Sequence, residues 1–143
     1  MTSLFRVLLL TGLVALAALA VFACDDTAGI CACTEEFRTY LVVVVDDTGT
    51  PVADVTLTRT NLRTGQVFEP SWLGMPTVGT YLVADDGILD EFSSEGDIVR
   101  VTGEKDGASF EAHFVFAVAG PCRCHVDKLA GPDTVLIGEP PPQ

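Results

Sequence analysis

The sequence predicts an all-β sandwich of about seven strands, preceded by an N-terminal signal segment that is cleaved off. Three features lead there. After residue 24 the apolar residues fall in short runs that are β-branched or alternate with polar ones, turn residues separate these runs, and no window carries the periodicity of an amphipathic helix. The 143 residues leave room for one domain.

Residues 1–23 read as the signal. From Val7 to Ala23 the chain is apolar apart from Thr11 and Gly12, and Arg6 precedes it. That run is too short and too rich in alanine for a membrane span, which needs about 20 residues, and it has the character of a secretory h-region. Residues 24–36 are small and polar, a tether that contains a C-x-C pair. The sandwich is placed at 37–138 and a frayed tail, with Pro140, Pro141 and Pro142, at 139–143.

Within the sandwich, Phe37 to Val45 holds a β-branched run with few helix formers, which predicts a buried central strand. Asp46 to Pro51 is a turn by composition. Val52 to Thr60 alternates, with Ala53, Val55 and Leu57 on one side and Asp54, Thr56 and Thr58 on the other. Asn61 to Gly65 turns again, and Pro70 to Pro76 is irregular. Gly79 to Ala84 is a short strand closed by Asp85, Asp86 and Gly87. Ile98 to Thr102 alternates, Lys105 to Gly107 turns, and Ser109 to Ala119 is the clearest strand, with Phe110, Ala112, Phe114, Phe116 and Val118 on one face. Cys122 to Val126 and Thr134 to Ile137 complete the set. The continuous apolar face places Phe110, Phe114 and Phe116 in the core with Val43, Val55 and Leu57.

All 20 acidic residues follow position 23, whereas one of the 8 basic residues precedes it, so the part from Cys24 onward carries 7 basic against 20 acidic groups, a net charge of −13. Charge of that sign and size repels phosphate backbones and anionic lipid, which argues against a nucleic-acid partner.

Five cysteines remain to be placed: Cys24, Cys31, Cys33, Cys122 and Cys124. The stretch Leu19-Ala20-Val21-Phe22-Ala23-Cys24 resembles a bacterial lipoprotein cleavage site, with an apolar residue three before the cysteine and a small residue directly before it. The resemblance implies that Cys24 becomes an acylated first residue that holds the protein to the lipid bilayer, facing the periplasm or the cell exterior. An ordinary signal cut elsewhere, with Cys24 a free thiol, is the alternative. In some Gram-negative members of that family an aspartate in the position of Asp25 implies inner-membrane retention, and the choice of membrane stays open. Lipid on Cys24 leaves an even set of four thiols in an oxidising compartment, the condition for disulfides. If each C-x-C pair is extended, its two cysteines lie about 6.6 Å apart on one face with parallel side chains, unsuited to bridging each other. Cross-pairing between the two segments leaves two connectivities, and an antiparallel arrangement gives Cys31 with Cys124 and Cys33 with Cys122. The same alternation places Arg123, His125 and Asp127 opposite the cysteines.

Asp46-x-x-Gly49-x-Pro51-Val52-x-x-Val55, then Thr64-Gly65, Gly79-x-Tyr81 and Val101 to Gly107, in that order and spacing, resemble the carboxypeptidase regulatory-like domain over about residues 37–119. The resemblance implies an Ig-like or transthyretin-like Greek-key sandwich, non-catalytic in itself, serving as an accessory or adhesion module.

Direct signs of chemistry are sparse. Neither His113 nor His125 lies in a recognisable nucleophile motif, and alternation turns His113 to solvent, so no catalytic residue and no enzymatic activity are expected. The related transthyretin-type hydrolases end in Tyr-Arg-Gly-Ser, a tail this chain lacks. Acidic pairs at Asp46-Asp47, Asp85-Asp86 and Asp90-Glu91 suit turns, with Ca²⁺ binding as the alternative, although the ordered acidic loop of a calcium hand is missing. Four thiolates around Zn²⁺ are the alternative to disulfides. No cofactor and no metal are expected. Trp72, in a loop, either covers the open end of the core or stacks on a partner, and the latter makes a carbohydrate or cell-wall binding module the alternative to a structural or protein-interaction module.

Overall fold

In a computed structural model of the protein, residues 31–69, 77–120 and 122–138 are described. The chain divides after Ala32, and the strands described all lie in the unit that begins at Cys33. They are β1 (Thr39–Val45), β2 (Thr56–Asn61), β3 (Val67–Phe68), β4 (Thr80–Asp85), β5 (Asp97–Lys105), β6 (Ala108–Ala119), β7 (His125–Ala130) and β8 (Thr134–Leu136), with a 3₁₀ turn at Asp86–Glu91 between β4 and β5. Two sheets form, in the orders β4-β1-β8 and β3-β2-β5-β6-β7. Every pairing is antiparallel except β1 with β8. The architecture is the all-β sandwich that the sequence predicts, with β1 central in its sheet.

The facing sheets share one core. Val42 and Val44 of β1 meet Tyr81 and Val83 of β4, Val99 and Val101 of β5, Phe114, Phe116 and Val118 of β6, and Val126 of β7. Burying one such side chain contributes about 1.5–3 kcal/mol. The rings of Phe116, Phe92 and Tyr40 form a chain of tilted contacts, with Tyr40 5.4 Å and Phe92 5.6 Å from Phe116. Phe114 stacks on Phe116 at 6.3 Å, and any side chain at Gly131 would collide with its ring.

Turn chemistry fixes the hairpins. Asp106 and Gly107 have φ of 51° and 85°, the left-handed pair that a two-residue hairpin demands, so β5 runs straight back into β6 with Lys105 opposite Ala108. The Asp46 Oδ1 accepts from the backbone N–H of Thr48 and of Thr50, each at 2.9 Å, and from the Thr48 hydroxyl at 2.6 Å. Its acidic pair is a turn device.

Four expectations need correction. Val43 is only half-buried, whereas Val42 and Val44 are fully enclosed. Four successive valines contain no polar marker, and the pairing with β4, irregular between Tyr40 and Leu41, selects the inward set. The second strand starts at Thr56 rather than Val52, because Asp54 sits at φ 56°. Its inward parity is as expected at Val55 and Leu57 but continues into buried Arg59 and Asn61. The seventh strand starts at His125 rather than Cys122, since Arg123 at φ 50° breaks the extended chain. Phe110 is half-buried at the sheet's end, lying over Gly103, its partner on β5. Two small elements, β3 and the 3₁₀ turn, carry no alternation and were not expected.

Phe114→Ala is expected to destabilise the fold by about 3–5 kcal/mol, and His113→Ala, at an exposed position of the same strand, by no more than about 0.5 kcal/mol. Urea unfolding of the two variants measures this, and equal losses would show that the faces of β6 are exchanged.

Candidate functional site

One end of the sandwich gathers side chains from three parts of the chain. The 3₁₀ turn after β4 is capped by the Asp85 carboxylate, which accepts from the Gly87 N–H at 2.9 Å. The following residue, Asp86, therefore faces away from β4 and towards β7. Its Oδ1 accepts the backbone N–H of Val126 at 2.8 Å, and its Oδ2 accepts the backbone N–H of Arg38 at 2.9 Å and the His125 Nδ1 at 2.8 Å. The side chains of Asp86 and His125 are 8% and 11% exposed. Burial works against charge on Asp86, but hydrogen bonds from the Arg38 N–H, the His125 ring and the Val126 N–H outweigh it and hold the carboxyl below the ordinary carboxylate range.

An ionised carboxylate accepts only, so in the neutral form of the His125 ring the Asp86 contact places the proton on Nδ1. In that form Nε2 carries the lone pair, and the Thr34 hydroxyl, 3.0 Å away, donates to it. Thr34, His125 and Asp86 form a relay in which a hydroxyl faces a base and the base faces its orienting carboxylate.

A covalent bond holds the relay's outer members. Cys33 is bridged to Cys124 with a Cα separation of 5.4 Å, and the next residue along each segment, Thr34 and His125, forms the hydrogen-bonded pair. Further on, Arg38 forms an ion pair with Asp127, and the Tyr40 hydroxyl donates to the Val126 carbonyl at 2.9 Å. The segment leading into β1 thus runs alongside and in the same direction as the chain leading into β7. This overturns the expected bridges Cys31–Cys124 and Cys33–Cys122, which assumed two extended, antiparallel C-x-C segments. Neither assumption holds: residues 31–34 have no regular structure, and the second pair straddles the left-handed Arg123. Cys31 and Cys122 are also disulfide cysteines, so the zinc alternative has no thiolates to use. His125 is 9% exposed and turned towards Asp86.

A second polar knot stands beside this one. Asp97, 2% exposed, accepts from Arg63 Nε and Nη2 at 2.5 and 2.8 Å, from Asn61 Nδ2 at 3.2 Å, and from the Ser93 N–H and hydroxyl at 3.0 Å each. The Arg63 guanidinium leads in pressing its carboxyl far below the usual range, with burial opposing and Ser93 and Asn61 assisting. Every oxygen lone pair is used inside the fold, which marks this knot as structural.

The remaining candidates are scattered. His113 is exposed, 3.6 Å from Glu111 on the same strand. Asp90 and Glu91 end the 3₁₀ turn. Among the described residues, no group of three or more His, Cys, Asp or Glu is disposed to hold a metal ion. Cys24 and Trp72 lie outside the described residues. The relay residues Thr34, Asp86 and His125 escaped sequence reading because 91 residues separate the first from the last and 39 separate the last two. Their one sequence signal is that Thr34 and His125 each follow a cysteine, which means something only once the bridge is known. Comparison of the chain with protein-family models, with curated proteins and with solved structures finds no match.

Asp86 and Asp97 both hold their protons less readily folded than unfolded, so their contribution is complete above the unfolded carboxylate range, near pH 4, and is lost as pH falls below it. The urea midpoint should therefore drop between pH 5 and pH 3, more shallowly in Asp97→Asn; an unchanged slope in that variant would remove Asp97 from the account. Disulfide mapping after cleavage at Ala32 and Arg123 should recover Cys33 joined to Cys124. Recovery of Cys33 joined to Cys122 would reverse the parallel arrangement.

Proposed function

We propose that this chain is a lipid-anchored extracytoplasmic β-sandwich, held to a bacterial membrane through acylated Cys24 and serving as a structural or protein-interaction module that turns over no substrate. The observation that carries the reading is the Cys33–Cys124 bridge where the tether meets the sandwich. Disulfides persist in oxidising, extracytoplasmic compartments, and four of the 5 cysteines are consumed by them, which leaves Cys24 for the lipid.

The placement suits an anchored module. Tension on a lipidated Cys24 passes along a tether of at most about 32 Å to Cys33 and reaches the chain entering β7 through a covalent bond, before it loads the hydrogen bonds between β1 and β4. Several acyl chains, each adding about 0.8 kcal/mol per buried CH₂, make such attachment effectively permanent. The likeness to the carboxypeptidase regulatory-like domain agrees with this, since that family serves as an accessory module, but it rests on residue order alone.

Cys24→Ser should move the full chain from the membrane pellet to the soluble fraction and abolish incorporation of a labelled fatty acid. A variant that stays in the pellet through detergent-free washing would sink the lipoprotein reading.

A further inference from the structure

The relay at Thr34 has a property that stability alone does not require. Asp86 satisfies the Nδ1 of His125 inside the fold, whereas the Nε2 of that ring takes its partner from the segment before β1. That partner, Thr34, is exposed, and water would serve its hydroxyl equally well. Its Oγ1 is instead held 3.0 Å from the one ring nitrogen of His125 that carries a lone pair. Asp86 cannot turn away to change that tautomer, because the backbone N–H groups of Arg38 and Val126 grip both of its oxygens. The Cys33–Cys124 bridge fixes the spacing from the outside.

We propose that Thr34 is an acyl-acceptor site: its hydroxyl takes up the acyl group of an activated donor, a thioester or a reactive ester, once per chain. In that step Oγ1 adds to the carbonyl carbon while its proton passes to His125 Nε2. The bond from that carbon to the leaving thiolate or alkoxide then breaks, and the imidazolium returns the proton to the leaving group. The products are a threonine ester and a free thiol or alcohol, with no change of oxidation state. Asp86 stabilises the imidazolium while it lasts. The β-branched side chain suits an acceptor better than a turnover nucleophile, since its methyl group crowds the ester and slows attack by water. This inference concerns covalent marking of the module and does not depend on whether the chain is anchored.

The test uses the purified full chain, with its disulfides intact, and p-nitrophenyl acetate as the donor. One equivalent of p-nitrophenolate should be released in a burst, and peptide mass mapping should place the acetyl group on Thr34. Thr34→Ala should slow that first equivalent by about a hundredfold, the scale of general-base assistance, with an unchanged thermal midpoint. Thr34→Ser should keep the burst and carry the acetyl group at position 34. Acetyl groups on lysine or other side chains only, or a burst of equal rate in Thr34→Ala, would overturn the proposal.

Discussion

A single carboxylate, that of Asp86, stands where the two sheets would otherwise separate. It takes a backbone N–H from the chain entering β1, a backbone N–H from β7, and the His125 ring. These donors come from opposite layers of the sandwich, so the charge, together with the Cys33–Cys124 bridge, ties the layers at this end. Three hydrogen bonds to an ionised group, each of the order of 1.5–3 kcal/mol, outweigh what burial takes away. Side-chain packing elsewhere is non-directional, and Asp86 supplies direction: it fixes how far β1 enters before it meets β7.

The same logic governs the edges of the sheets, where unpaired backbone groups invite another strand. At the edge of β7, the N–H of Val126 is taken by Asp86 and its carbonyl by the Tyr40 hydroxyl. At the edge of β4, Arg59 reaches from the opposite sheet, donates to the carbonyls of Val83 and Glu69, and lies 5.9 Å from the centre of the Phe68 ring. Burial lowers the Arg59 pKa and the nearby Asp85 charge opposes it, a balance that a guanidinium survives because it does not deprotonate in proteins. These two edges are thus closed by side chains, and the reach of Arg59 explains why it occupies an inward position that an alternation rule assigns to an aliphatic residue, while Asn61, also inward, holds Asp97 and the Glu91 carbonyl.

How much of this was legible depended on whether the signal was local. The inward face of β6 could be read because phenylalanines and valines alternate there with Glu111 and His113, and the β5–β6 hairpin because Asp106-Gly107 has few other uses. The four valines of β1 announced a strand but not its register, since a run without polar residues looks the same on both faces. Cysteine parity gave the number of bridged thiols. Their connectivity needed the relative direction of two segments about 90 residues apart, and the left-handed Arg123 has no sequence marker, being neither glycine nor asparagine. The relay was hidden for the same reason: a lone threonine, aspartate and histidine become a site only when topology brings them together.

The bridge and the relay also depend on each other. Residues 33–38 have no strand or helix of their own, so without the disulfides at Cys31 and Cys33 they would rest on the Arg38 N–H on Asp86, the Asp86 N–H on the Arg38 carbonyl, the pairing of Arg38 with Asp127 and the Thr34 hydroxyl on His125. The bond to the Asp86 carboxylate contributes about 1.5–3 kcal/mol and the more exposed side-chain contacts about 0–1 kcal/mol each, together less than the cost of ordering the six residues, at roughly 1–2 kcal/mol per backbone. Closing a loop of about 90 residues supplies up to about 4–5 kcal/mol on the chain-entropy model, which is the margin that keeps the segment in place. Oxidation therefore does more than stabilise a finished fold. It determines whether Thr34 meets His125 at all, and it confines any chemistry of that hydroxyl to the compartment in which the bridge can form.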